Sequence, residues 1–298
     1  MPVSLHFLIV ASETPDQAEA RRRSVGAASH ETYASTVRSL AGGASIDFVS
    51  CVDGSRTPSP AELRRYDGIF FAGSPIQMHD DSGESRSAAR FATDVFESGT
   101  PAFGSCAGLQ IAAVAAGGTC KPRETALEAG FARGITATDA GRDHPLLRGR
   151  PIVWDAPAMH FSVIDTMPPG GVVLARTKST PIEAAEIRSR NGMFWGVQYH
   201  PELTVAEIAA SLRRQVDDVI AQDMARDGAA IESYAALLDE LHDDAARRDI
   251  AWRIGIDDEI TDAIDDARDR ITQITDDVLP GLRGDMDAGD RAAQDRDR

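Results

Sequence analysis

The chain has 298 residues, 42% of them hydrophobic, enough to bury a full core. It holds no run of about eighteen apolar residues, and the start MPVSLHFLIVASE lacks the basic opening and cleavage site of a signal peptide, so no membrane span and a cytoplasmic location are expected. A net charge of −16 argues against nucleic acid as a partner, because phosphates are bound by clustered Lys and Arg. In chain order, SLHFLIVA (4–11), SIDFVSCV (45–52), YDGIFFAG (66–73) and TPAFGSC (100–106) read as successive strands. Residues 28–41 and 85–98 between them read as surface helices, with Asp80, Asp81 and Ser82 as available caps. Segments 151–155, 171–177, 182–188 and 193–199 read as further strands, several antiparallel because their connections are short. The alternation predicts an α/β fold: a doubly wound, mostly parallel sheet with helices on both faces.

After Pro201 the pattern turns helical. Ile208, Leu212, Val216, Ile220 and Met224 recur at one helical spacing, and Ile231, Tyr234, Leu238 and Leu241 at a second. A third helix is expected from about Asp257 to Ile274, with breaks at Gly228 and near Gly255. Residues 204–298 carry 25 Asp or Glu against 12 Arg, which is −13 of the total charge. The expected organisation is an α/β domain over 1–205, an acidic helical extension over 206–280 and a disordered tail over 281–298.

Three cysteines, Cys51, Cys106 and Cys120, are too few for a disulfide framework and none forms a CxxC pair, which leaves thiol chemistry open. Cys106 is the candidate. Gly104-Ser105-Cys106-Ala107-Gly108 follows an apolar strand and opens the helix-like run LQIAAVAA, the pattern of a tight elbow that lifts a nucleophile above a sheet. The helix N-terminus favours a thiolate, and the amide of Ala107 can face an oxyanion. A second turn, Ala72-Gly73-Ser74-Pro75, ends at the same carboxyl edge, so Gly73 can offer a second amide. In Tyr199-His200-Pro201-Glu202 the His and Glu project to one side of an extended chain, where a carboxylate can orient an imidazole.

Cys51 and Cys120 read as packing. His79 with Asp80 and Asp81 reads as a solvated loop rather than a metal site, Arg21, Arg22 and Arg23 as a solvated helix face or loop, and His6, His30, His144 and His242 have no evident partners.

The motifs AGSP (72–75), PAFGSCAGLQ (101–110) and FWGVQYHPE (194–202) resemble, in order and spacing, the class I triad-type glutamine amidotransferases, of the kind found in GMP synthetase; the likeness spans roughly residues 4–205. It implies a flavodoxin-like sheet, with Cys106 as nucleophile, His200 as base and then acid, and Glu202 as its orienting carboxylate. By the same resemblance Gly73 and Ala107 supply oxyanion amides, and Gln110 helps hold the α-amino and carboxylate end of glutamine. His160 matches the family's substrate-contacting His-Gly segment, with Phe161 standing where glycine is frequent. No metal or organic cofactor is implied. Two activities stay open: a glutaminase feeding ammonia to a separate synthetase, and a hydrolase of larger γ-glutamyl amides. The C-terminal helices then either dock a synthetase or a second copy, or pack on the chain's own core.

Overall fold

The structure, a computed structural model, describes residues 5–124 and 127–255. The helix expected from Asp257, the tail and the part of the extension beyond 255 lie outside the described residues. In chain order the first elements are β1 (His6–Ala11), α1 (Pro15–Val25), α2 (Ser29–Leu40), β2 (Ser45–Ser50), α3 (Pro60–Leu63), β3 (Gly68–Phe71), α4 (Gly83–Ser98), β4 (Ala102–Ser105) and α5 (Ala107–Ala115). Strands dominate next: β5 (Thr119–Pro122), β6 (Glu128–Ala137), β7 (Val153–His160), β8 (Ser162–Thr166), β9 (Gly171–Arg176), β10 (Ala184–Ser189) and β11 (Gly192–Val197). Four helices follow: α6 (Val205–Arg214), α7 (Val216–Ala221), α8 (Gly228–Asp243) and α9 (Arg248–Arg253).

Among the described residues one sheet runs in the order β2-β1-β3-β4-β11-β10-β9-β6-β7, and a small antiparallel pair, β5-β8, stands apart. Pairing is parallel from β2 through β4 to β11 and antiparallel from β11 to β7. The architecture is a mixed sheet with helices on both faces. The central strands β3, β4 and β11 are buried at every position, as apolar strands covered on both faces must be. Edge strand β2 is largely open, and its Asp47 accepts from the Tyr66 hydroxyl and bonds the His6 ring, each at 3.0 Å.

Side-chain alternation sends Phe7 and Ile9 of β1 to one face and Leu8 and Val10 to the other. The first pair meets Tyr33, Ala34 and Val37 of α2; the second meets Phe91, Val95 and Phe96 of α4 and Leu109 of α5. Helix α1 was not anticipated, although its signature is legible: Pro15 stands at the first turn, and Thr14 and Gln17 form a reciprocal capping box. Its Arg21 is not solvated. It is 8% exposed, donates to Ala27 O at 2.5 Å and Thr32 Oγ1 at 3.2 Å, and pairs with Glu207 of α6 at 3.4 Å. Arg22 and Arg23 do pair with acids on the surface. His6 and His144 also have carboxylate partners that the sequence hid, Asp47 and Glu186.

The stripe from Ile208 to Met224 is not one helix. The chain bends at Gln215, where α6 ends and α7 begins, so that Val219 enters the core while Met224 is left 40% exposed. Ile208 and Leu212 of α6, with Ile231, Leu238 and Leu241 of α8, bury their apolar faces against Leu127 and Phe131 at β6. The stripes that could have served as a docking surface are thus covered by the chain itself.

Candidate active site

The carboxyl ends of four parallel strands converge. Beyond β1 lies Glu13, beyond β3 Gly73, beyond β4 Cys106, and beyond β11 His200; all four line one cavity of about 340 Å³. Cys106 joins β4 to α5 with φ 51° and ψ −109°, a conformation costly for a residue with a Cβ, by roughly 1–3 kcal/mol. The elbow is held on both sides: the Cys106 amide donates to Val197 O at 2.8 Å, and its carbonyl accepts from Gln110 N at 3.2 Å. Gly108 permits the turn, since a Cβ there would lie 2.7 Å from Phe71 O. Cys106 Sγ is buried and 3.8 Å from Met159 O.

Gly73 lies directly against the pair. A Cβ on it would stand 2.7 Å from His200 Cε1 and 3.7 Å from Cys106 Cβ, so no larger residue fits while both remain in place. His200 is anchored by its amide to Pro157 O at 2.7 Å, and its Nδ1 meets Glu202 Oε1 at 2.7 Å. Burial disfavours the imidazolium, but the adjoining Glu202 carboxylate and the Cys106 sulfur outweigh it and raise the His200 pKa to about 10. Glu202 Oε1 also accepts from Ser105 Oγ at 3.0 Å, and Tyr33 donates to Ser105 at 2.5 Å. A thiol, an imidazole and a carboxylate in this order can generate a thiolate, protonate a leaving amine and return the proton. The other two sulfurs differ: burial pushes Cys51 and Cys120 up to about 12.

One part of the remaining wall is a hydrogen-bonded group of Gln110, Ser162 and His160. Gln110 donates to Ser162 O and Gln198 Oε1, each at 3.0 Å, and accepts from Ser162 Oγ at 2.9 Å. Both its amide hydrogens are met within the wall. His160 is buried with Nε2 2.9 Å from Glu128 Oε2 and Nδ1 3.0 Å from Ser162 O. Phe161 lines the cavity and packs on the α6–α9 core. The cavity is also lined by Gln17 and Arg21 of α1, Ser29 and Thr32 of α2, Arg214 of α6 and Asp218 of α7.

Sequence reasoning missed Tyr33, Ser105 and Glu128. Ser105 sat inside the elbow motif as a spacer, whereas Tyr33 and Glu128 reach their partners across long stretches of chain and leave no local signal. His79 reaches only Asp80, at 3.5 Å, while Asp81 pairs with Arg86, and among the described residues no group of three or more His, Cys, Asp or Glu converges as metal ligands would. No helix among them is long and apolar enough to cross a membrane.

The profile of the glutamine amidotransferase class-I family matches residues 32–216. A γ-glutamyl-L-1-hydroxyisopropylamide hydrolase from Pseudomonas sp is 38% identical over 161 residues, 53% of this chain and 54% of that protein. A glutamine-hydrolysing GMP synthase from Lactobacillus delbrueckii subsp. bulgaricus is 30% identical over 201 residues, 65% of this chain but 36% of the synthase. The chain therefore spans about half of the first relative and about a third of the second. Two crystal structures share the fold, each with a TM-score of 0.55. A glutamine amidotransferase from Thermotoga maritima does so at 12% identity over 89% of this chain and 98% of its own. One from Methylobacillus flagellatus does so at 17% identity over 90% and 93%. With the family profile running from α2 to the end of α6 and the motif residues gathered at one carboxyl edge, the chain belongs to the class I glutamine amidotransferases.

Proposed function

We propose that this protein cleaves the side-chain amide of glutamine or of a γ-glutamyl amide through a γ-glutamyl thioester on Cys106. The carrying observation is the convergence of Cys106, His200 and Glu202 on one cavity, with Gly73 pressed against the His–Cys pair. The Cys106 thiolate attacks the amide carbon, and the oxyanion that forms is met by the amides of Gly73 and Ala107. The imidazolium of His200 protonates the departing nitrogen, the C–N bond breaks, and ammonia or an amine leaves. Water then attacks the thioester, His200 takes its proton, and the Cys106–carbon bond breaks to return thiolate and free glutamate. Glu202 holds the imidazole through Nδ1 so that Nε2 serves the reacting atoms.

The similarity to GMP synthases favours glutamine as substrate and a separate synthetase as consumer of the ammonia. A second reading is favoured by the cavity. The same cavity of about 340 Å³ is lined, besides Cys106, by Gln17, Arg21, Ser29, Thr32, Arg214 and Asp218, polar groups with which a leaving group can hydrogen bond. Such a cavity suits a γ-glutamyl amide whose amine portion is larger than ammonia, in keeping with the Pseudomonas hydrolase. The burial of the α6 and α8 stripes on the chain's own core removes one argument for a docking synthetase. Steady-state kcat/KM for glutamine against γ-glutamyl alkylamides of rising size separates the two: a rise with amine size selects the hydrolase, a fall selects the amidotransferase. Turnover of all substrates by Cys106→Ser at the wild-type rate would sink both.

A further inference from the structure

Behind Glu202 stands a line of two hydroxyls. Tyr33 of α2, 4% exposed, donates to Ser105 Oγ at 2.5 Å; Ser105, the fully buried last residue of β4, donates to Glu202 Oε1 at 3.0 Å. The direction of each bond is dictated. An ionised carboxylate only accepts, so Ser105 must give its single proton to Glu202, and its oxygen is left to accept from Tyr33. Burial, with the Glu202 charge, raises the Tyr33 hydroxyl well above its ordinary range, so it remains a donor.

The two Glu202 oxygens are treated unequally. Oε1 receives both the Ser105 hydroxyl and the His200 Nδ1–H, while Oε2 is buried and has no hydrogen-bond partner among the described residues. Two donors on one oxygen fix the rotation of the carboxylate. The Ser105 bond also draws charge away from the oxygen that faces the imidazolium, and Tyr33 strengthens that draw by polarising the serine hydroxyl.

We propose that Tyr33 and Ser105 are positioning residues for the amide-cleaving reaction, acting through Glu202 to orient His200 and to keep its imidazolium able to release a proton to the leaving amine. This rests on the reading of Cys106 as the nucleophile. Neither residue lines the cavity that holds Cys106, so each acts on the chemistry and not on substrate contact. The other titratable and charged groups lining that cavity are Glu13, Arg21, His160, Arg214 and Asp218, with Glu207 beside Arg21 and Thr32 and Glu128 beside His160; the two hydroxyls bond Ser105 and Glu202 instead.

The test needs no substrate. Alkylation of Cys106 by iodoacetamide is followed in the full chain from acid to alkaline pH, with modification read at the Cys106 peptide by mass spectrometry. The wild type shows an upper, alkaline step, where His200 loses its proton; His200→Asn abolishes the upper step. In Ser105→Ala the carboxylate pulls harder on the imidazolium, and the upper step moves up by roughly half to one pH unit. Tyr33→Phe moves it the same way by less. On substrate, kcat falls by about tenfold in Ser105→Ala while KM stays within about twofold. Upper steps unchanged in both folded variants would overturn the proposal, reducing the hydroxyls to fillers of buried space. If Ser105→Ala does not fold, Tyr33→Phe, which loses only an oxygen, decides alone. Failure of the underlying reading looks different: the wild type would then show one ordinary thiol step, indifferent to His200→Asn.

Discussion

Two histidine–glutamate pairs stand at the same cavity in opposite surroundings. His200 and Glu202 are two residues apart, 2.7 Å between Nδ1 and Oε1, with the thiol of Cys106 on the far side. His160 and Glu128 are 32 residues apart, 2.9 Å between Nε2 and Oε2, and the ring's Nδ1 is 3.0 Å from Ser162 O. The carboxylates differ in their company. Glu202 is shared only with Ser105, whereas Glu128 Oε2 also takes Arg123 Nη1 and Thr180 Oγ1, each at 3.1 Å. A carboxylate divided among a guanidinium, a hydroxyl and an imidazole has little charge left to hold a proton on the ring. Burial lowers His160 below its ordinary pKa despite Glu128, while Glu202 and Cys106 lift His200 to about 10. What surrounds the pair, more than the pair itself, decides whether the ring's pKa is lifted or lowered.

The largest effects should come from breaking the first pair. Cys106→Ser or His200→Asn is expected to lower kcat for amide cleavage by at least about a thousandfold. Glu202→Gln should cost about a hundred- to ten-thousandfold, because an amide holds the ring without stabilising its charge. KM should move little in each. The raised His200 pKa gives a sign for stability too: the paired imidazolium stabilises the fold below its ordinary pKa of 6.5, and this support is lost as pH rises through about 10. A Glu202→Gln enzyme within a few-fold of the wild type would erase the distinction between the two pairs.

The second pair should answer in KM. Glu128→Gln leaves Arg123 and Thr180 with a neutral acceptor and loosens His160, hence the Met159–Phe161 wall beside the sulfur. We expect KM to rise by about tenfold with kcat within about threefold, read from initial rates of amine release. A loss confined to kcat would make His160 a participant in the chemistry instead.

The unequal legibility of the two pairs has a physical cause. His200 and Glu202 adjoin in a motif at a strand end, and the cysteine elbow is a local strand-to-helix turn, so both announce themselves within about ten residues. The His160–Glu128 contact exists only because β6 lies beside β7 in a register that pairs these residues, and β6 itself was not foreseen. Nor could spacing reveal that Tyr33, on what reads as the apolar face of a surface helix, meets Ser105 across 72 residues. The parallel half of the sheet was readable from its unbroken apolar runs. The bend at Gln215 was not, because the helical spacing of the apolar residues favoured continuing the helix, whereas tertiary packing buries Val219 in the C-terminal helical core and leaves Met224 exposed.

The smallest effect on catalysis is expected behind the second pair, in a residue that does not line the cavity. Glu183 is wholly buried; Oε1 accepts from Thr177 at 3.2 Å and Oε2 has no hydrogen-bond partner among the described residues. Burial, with the Glu128 charge nearby, raises its pKa from 4.5 to about 8. Between those values the folded chain keeps a proton that the unfolded chain has lost, so this group makes stability fall as pH rises from 4.5 to 8 and level off above. Glu183→Gln removes the ionisable group with little change of shape. Its urea midpoint should match the wild type in mild acid and exceed it in mild alkali, by a stability difference of roughly a few kcal/mol, with catalytic constants unchanged. Equal midpoints at both pH values would mean that Glu183 finds a proton-free way to be buried beside Glu128, and that the second pair carries less negative charge than its geometry implies.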